Sequence, residues 1–356
     1  MAEMTTYERM KLTYDHKEAD RVPIWDWAWP TTVQRWQEQG LPKDMPWEQF
    51  FGTENVASID FDPGPRYKWT ILEKGENWYI VRDYLGATMK QFTDHGSTPQ
   101  HIDSIVKDPE SWAETRKRMN PTHDRLHWEG LEEHYPKWRE SGAWIRGKLG
   151  WSYDIVSARM CNTEMILYGM ADDPDWIKDM CEHGVDVGLK IADMAWDAGY
   201  TFDELWWFDD MAYKNGLFFS KDMWREMLRP YQKRIVDWAH SHGIKAHLHC
   251  CGNINDLIPD LIELGVDVLN PLEVKAGMDP VETKKKYGDS LSLRGGFDVR
   301  HWSEPEKIEE EIRRILPEMM ENGGYVFASD HSISEDVTVE NFRHIVRVVK
   351  EVGNYA

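Results

Sequence analysis

The run His247-Leu248-His249-Cys250-Cys251-Gly252 places imidazole and thiol donors on alternate residues, directly after an apolar, strand-like segment. On a strand, side chains two apart share a face, so His247, His249 and Cys251 point one way and Leu248 and Cys250 the other. A neutral imidazole and a thiolate on one face can hold a borderline-soft cation, and zinc is the commonest such ion in proteins. Two clustered donors are fewer than the three or four that zinc takes, so the rest must come from elsewhere in the chain. The same spacing also fits a hydrogen-bonded core histidine beside small buried thiols.

Composition restricts what surrounds that run. The 356 residues, 41% of them hydrophobic, suffice for a large core in one α/β barrel or two smaller domains. A formal charge of -21 argues against a nucleic-acid partner, because basic residues are outnumbered and interspersed with acids. Lys284-Lys285-Lys286 reads as a solvated helix face. No apolar run approaches the ~20 residues of a membrane span, and no signal-peptide pattern opens the chain, so a soluble, cytoplasmic protein is expected. Cys161, Cys181, Cys250 and Cys251 are too few and too unevenly spaced for a disulfide framework.

The elements that must position the donors are read from apolar runs ending at polar residues. Candidate barrel strands are 21–26, 55–60, 143–147, 204–208, 244–248, 266–269, 291–294 and 325–328. Residues 77–82 and 87–92 form a hairpin around Tyr84-Leu85-Gly86, and helical patterns separate the later strands. Residues 254–264, closed by Gly265, and the segment opened by Asp172-Asp173-Pro174 are two such helices. Eight strands alternating with helices predict a (β/α)8 TIM barrel of the α/β class, with N-terminal additions and a hairpin insertion. No Gly-x-Gly-x-x-Gly follows a strand, which weighs against a doubly wound sheet. Residues 1–356 read as one domain, since no linker divides them.

Barrel enzymes place chemistry where strands end. Those positions are Asp26, Asp60, Asp209, Asp210, His249, Cys251, Asn270, Glu273, Arg294 and Asp330-His331. Any one of these acids could be a helix cap, but together they describe a pocket suited to metal-assisted chemistry. His331, from the last strand, is the expected third ligand, with Asp210, Glu273 or Glu164 as further candidates. Among the 19 tryptophans, most belong to the core; Trp27, Trp151 and Trp207, with Asn270, are the candidate substrate-binding walls, suited to a flat aromatic molecule.

At these residues the chain resembles the uroporphyrinogen decarboxylase superfamily. The resemblance runs through Glu8-Arg9-Met10 to Asp20-Arg21-Val22-Pro23, Gly147 to Ser157, Asp209-Asp210, His249-x-Cys251-Gly252, Asp267 to Asn270, Gly295-Gly296-Phe297-Asp298 and His331 to Asn341. It implies a barrel and one of two chemistries: metal-free tetrapyrrole decarboxylation, or zinc-dependent methyl transfer to or from corrinoid proteins. In the methyltransferase branch a His-x-Cys pair and a distant cysteine hold zinc. His249 and Cys251 match the pair, whereas His331 stands where the distant cysteine is expected. True decarboxylases resemble one another in paired arginines after the first strand. Here that region reads Trp25-Asp26-Trp27-Ala28-Trp29-Pro30, and Asp210 and Ala158 stand where their pocket serine and tyrosine are expected.

The resemblance therefore implies a corrinoid-dependent zinc methyltransferase, moving a methyl group from a small methylated donor to the cobalt of a corrinoid carried by a partner protein. The tryptophan-rich walls suit an aromatic methyl ether, which makes the reaction an O-demethylation. His331 would be a ligand or a proton donor, and Asp209 or Asp210 would orient a metal-bound histidine through its second nitrogen. Transfer from the corrinoid to a thiol or pterin acceptor, and metal-free decarboxylation, are the alternatives. A homodimer is allowed but not required by anything in the chain.

Overall fold

The computed structural model describes residues 3–94 and 98–355. Among these, seven parallel strands form one sheet in the order β1 (Val56–Phe61), β6 (Trp144–Leu149), β7 (Glu204–Phe208), β10 (Lys245–His249), β11 (Val268–Asn270), β12 (Ser292–Arg294) and β13 (Tyr325–Val326). Residues 22–25 stand between its two edges. Trp25 N donates to Phe327 O at 3.1 Å and Phe327 N to Pro23 O at 2.9 Å on one side, while Glu54 N donates to Ile24 O at 2.9 Å on the other. All eight barrel strands expected from the sequence are thereby in place. Helices follow the strands, as parallel connections require.

Strand parity sorts the side chains. On β1, Ala57, Ile59 and Phe61 are buried in the hydrophobic core, while Ser58 and Asp60 turn to the other face and line a cavity. The helix Pro174–Asp197 lies close to β6 because two of its glycines face that strand's neighbourhood. A Cβ at Gly184 would lie 2.0 Å from Trp151 Cδ1, and one at Gly188 would lie 2.4 Å from Leu149 Cδ1. Trp151 is consequently sealed beneath this helix, with Nε1 donating to Met180 O at 3.0 Å. It is a core residue, not the pocket wall expected from the sequence.

Between β1 and β6 the chain forms an antiparallel sheet of β2 (Thr70–Lys74), β3 (Trp78–Arg82), β4 (Ala87–Phe92) and β5 (Gln100–Ser104). The central pair is the expected hairpin. The flanking strands escape sequence reading because they are largely exposed and their apolar residues, Ile71, Leu72 and Ile102, do not alternate into a buried face. Met89, Thr98 and Pro99 from this excursion line the cavity at the barrel mouth, so it forms part of the site. A small hairpin, β8 (Ala212–Tyr213) with β9 (Gly216–Leu217), follows β7. No helix among the described residues is long and apolar enough to cross a membrane.

The opposite end is closed by helix α1 (Thr6–Tyr14), which carries a capping box at Thr5 and Glu8. Arg9, 2% exposed, donates to Asp20 and Glu54; Arg21 donates to the other oxygen of Glu54. Burial pushes the Asp20 carboxyl up, but the Arg9 guanidinium, the Met4 N–H and the Arg21 charge outweigh it and hold it at about 2. A depressed carboxylate stabilises the fold above its unfolded value of ~3.9 and loses that contribution as pH falls through the folded value. An Asp20→Asn variant is therefore expected to be less stable at neutral pH and to show a flatter stability profile between about pH 4 and 2. Urea titrations across that range, giving the same slope for both proteins, would contradict this.

Candidate active site

β10 delivers its donors by strand parity. Leu248 and Cys250 are buried in the hydrophobic core, whereas His249 and Cys251 face a cavity of about 420 Å³ where the strands end. Cys251 is turned into place by Gly252, whose φ of +87° is a left-handed conformation. A Cβ there would lie 2.5 Å from the backbone carbon of Ala212, so the chain passes the β7 loop too closely for any side chain.

The third donor comes from that loop. Asp210, His249 and Cys251 form a group whose ligand atoms all lie within 4.8 Å of one another. His249 Nε2 is 3.4 Å from Cys251 Sγ and 3.8 Å from Asp210 Oδ1, and Asp210 Oδ1 also accepts from Cys251 N at 2.8 Å. Burial holds the His249 imidazole well below its usual value, so the ring is neutral near pH 7 and its lone pair is available. Burial and the nearby Asp210 and Glu273 charges push the Cys251 thiol far up, so its deprotonation calls for a cation. Nitrogen, sulfur and carboxylate oxygen make the three-ligand donor set of a catalytic zinc site, and these residues fit that ion.

A hydrogen-bonded chain beneath the group fixes which imidazole nitrogen faces it. Glu204 Oε2 lies 3.1 Å from His247 Nδ1, and the Asn270 amide bridges His247 Nε2 and His249 Nδ1, 2.9 Å from each. Burial holds His247 below its usual value and therefore neutral. The amide oxygen faces His247 Nε2 and the amide NH2 faces His249 Nδ1. The two ends of an amide are isosteric, and turned end for end, with its NH2 toward a His247 whose Nδ1–H donates to Glu204, it would accept from His249 instead. In that orientation His249 Nδ1–H donates to Asn270, leaving Nε2 free for a metal. Replacing Asn270 by leucine is expected to weaken zinc binding by about 10–100-fold, the usual cost of losing such a partner. A competition titration against a chromophoric chelator giving unchanged affinity would refute this role.

The other candidates from the sequence fall into two groups. Trp27, half exposed, lines the cavity with Asn270 and His331. His331 is outside the donor group, its ring 6.2 Å from that of Trp29, and burial with the Lys275 charge keeps it neutral. Among the described residues, Asp210 rather than His331 stands together with His249 and Cys251. Glu164 is exposed in the first turn of the helix Thr163–Asp172, away from the cavity. Asp209 is buried behind the wall, accepting from Tyr231 Oη at 2.8 Å and Gln232 Nε2 at 2.7 Å, so Asn270 orients His249 instead. Trp207 is fully buried on the helix side of β7, and its neighbours Trp206 and Phe208 form the wall.

Three lining residues were not anticipated in these roles. Asp154 is buried, and the Asp210 and Asp209 charges add to burial in raising its carboxyl above the usual range. Arg146 and Arg294 face the barrel interior from β6 and β12. Arg294 was visible as a strand-end residue; alternation along 143–147 is the signal that could have exposed Arg146.

A parallel barrel with a nitrogen, sulfur and carboxylate cluster at the strand ends defines a TIM-barrel enzyme class with a metal-competent mouth. The uroporphyrinogen decarboxylase (URO-D) family profile matches residues 154–352, and the chain belongs to that family. Uroporphyrinogen decarboxylase of Chloroherpeton thalassium is 28% identical over 137 residues, 37% of this chain and 38% of that protein. The enzyme of the same name from Ruthia magnifica is 35% identical over 71 residues, 20% of each chain. The matched segments thus span well under half the length of these curated relatives. A methyltransferase from Methanosarcina mazei has the same fold, with a TM-score of 0.68 and 19% identity over 98% of this chain and 99% of its own.

Proposed function

We propose that this chain is a zinc-dependent methyltransferase that takes a methyl group from a small aromatic methyl ether, with the cobalt of a corrinoid on a partner protein as acceptor. The observation that carries this reading is the Asp210, His249 and Cys251 group at the barrel mouth. The fold shared with the Methanosarcina methyltransferase along nearly the whole chain supports it. These three residues would hold the ion, and when bound it supplies a Lewis acid for the heteroatom that loses its methyl group.

The remaining work belongs to the chain. Asn270, with its amide oxygen turned to His249 Nδ1, would set the tautomer of that ring. Trp27, Trp206 and Phe208 offer flat apolar surface to an aromatic ring and narrow the space open to water. Asp154, its carboxyl raised by burial and neighbouring acids, keeps a proton further toward neutral pH than an ordinary aspartate and can supply it to a departing oxygen. His331, neutral at the lip of the cavity, is placed to accept a hydrogen bond from substrate.

The second reading, metal-free decarboxylation, is favoured by the names of the curated relatives. Against it stands the aromatic and acidic segment 25–30 where paired arginines would be expected, and a cavity toward the small end of the ~300–1,000 Å³ typical of ligand pockets. Elemental analysis of protein purified without added metal, followed by incubation with methoxylated aromatics and reduced corrinoid protein, tests the proposal. About one zinc per chain and methylated cobalt are expected. A chain that takes up no zinc even when it is supplied sinks the proposal.

A further inference from the structure

We infer that the small aromatic substrate carries a carboxylate, and that Arg146 and Arg294 at the cavity floor read it. For the methyl group it donates, this substrate class rests on the function proposed above; the carboxylate rests on the following geometry alone. Both arginines are more than nine-tenths buried and line the same cavity as His249 and Cys251. Arg146 Nε donates to Ser58 Oγ at 2.7 Å and Arg294 Nε to Trp25 O at 3.1 Å. Among the described residues, their terminal guanidinium nitrogens make no hydrogen bond, and neither side chain has a carboxylate within 4.0 Å.

That treatment contrasts with the way this chain buries its other arginines. Arg9 has Asp20 and Glu54, and Arg21 has Glu54. The acids nearest the two floor arginines hydrogen-bond or pair with other groups, although one oxygen of Glu204 has no hydrogen-bond partner. Glu204 accepts from His247, Asp26 accepts from Ser329 and from Trp27 N, and Asp60 pairs with Lys148 at 3.4 Å. An unpaired buried cation is costly, and the cost is offset when a ligand brings the missing anion. A guanidinium with free terminal nitrogens suits a carboxylate, which it can grip through two parallel hydrogen bonds.

The surroundings specify the rest of the molecule. Both guanidinium groups lie over the Trp25 ring, Arg294 at 3.8 Å and Arg146 at 5.2 Å from its centroid. Arg146 is also 5.0 Å from the Trp206 ring and 5.7 Å from that of Trp27, so the cationic floor grades into an aromatic wall. Arg294 ends β12, and Asn270, on the neighbouring β11, lies between that strand and His249 on β10. A flat ring bound carboxylate-down on the arginines would therefore lie along the tryptophans with its other end toward the metal donors.

Metal-free protein tests this without turnover, using 4-methoxybenzoate against the uncharged 4-methoxybenzyl alcohol by calorimetry or tryptophan fluorescence. The acid is expected to bind at least about tenfold more tightly than the alcohol at pH 7. Arg146→Met and Arg294→Met should each remove about tenfold of the acid's affinity, leave the alcohol unaffected, and leave zinc uptake unchanged. Should either variant fail to fold, the acid-to-alcohol comparison on the unmodified protein decides alone. Equal binding of the two probes, or failure of 4-methoxybenzoate to bind, overturns the inference. A chain that prefers the acid yet takes up no zinc would instead sink the methyl-transfer reading and leave the arginine pair standing.

Discussion

Cys251→Ser is expected to lower zinc affinity by more than ~100-fold and to abolish methyl transfer, while Cys250→Ser leaves both close to the unmodified protein. The two thiols are adjacent in sequence and opposite in environment. Cys250 lies in the hydrophobic core, its sulfur accepting only from Met211 N at 3.4 Å across the β7 loop. Cys251 has its sulfur 3.4 Å from His249 Nε2 and faces the cavity. A serine oxygen in its place is a harder, far less acidic donor, and the remaining imidazole and carboxylate are too few to hold the ion tightly. His249→Ala should behave like Cys251→Ser. Zinc stoichiometry and chelator competition on the purified variants decide the matter, and a Cys251→Ser protein that keeps one tightly bound zinc would place the ion elsewhere.

Glu54→Ala is expected to destabilise the fold by ~3–5 kcal/mol, the cost of removing one member of a buried ion pair and leaving its partner uncompensated. Glu54 is 1% exposed and serves α1 and the first barrel strand together. It accepts from Arg9 and Arg21, and also from Thr6 Oγ1 at 3.0 Å. Without it Arg9 retains Asp20, but Arg21 is left with the exposed Glu3 at 3.4 Å and the Val22 carbonyl at 3.2 Å. Glu54→Gln should cost less, because one amide oxygen still accepts from a guanidinium. The comparison is made on urea unfolding midpoints at pH 7, and a loss below about 1 kcal/mol for Glu54→Ala would mean that solvent replaces the carboxylate at that end of the barrel.

The eight barrel strands were legible in the chain because each is an apolar run stopped by a polar residue, and the His249 and Cys251 pair because a spacing of two on a strand means one face. The structure bears out both, burying Leu248 and Cys250 in the core and turning His249 and Cys251 to the cavity. Where both faces of a strand are buried, that logic loses its hold. After Glu204, the run Leu205-Trp206-Trp207-Phe208 is apolar on both faces, so nothing local says that Trp206 rather than Trp207 meets the cavity; the tertiary placement of β7 beside β10 decides it. Residues brought in from distant loops are equally hidden. Asp209 and Asp210 are chemically identical neighbours, yet one is consumed by Tyr231 and Gln232 and the other joins His249 and Cys251. Trp151 looks like a wall until the glycines of the helix Pro174–Asp197 bring that helix down upon it. Sequence by itself determined the barrel strands and the shared face of His249 and Cys251, since these follow from period and residue type. Only the tertiary structure decided the third donor, the Asn270 bridge and the two unpaired arginines, because partnership between distant groups depends on where closed strands and loops put them.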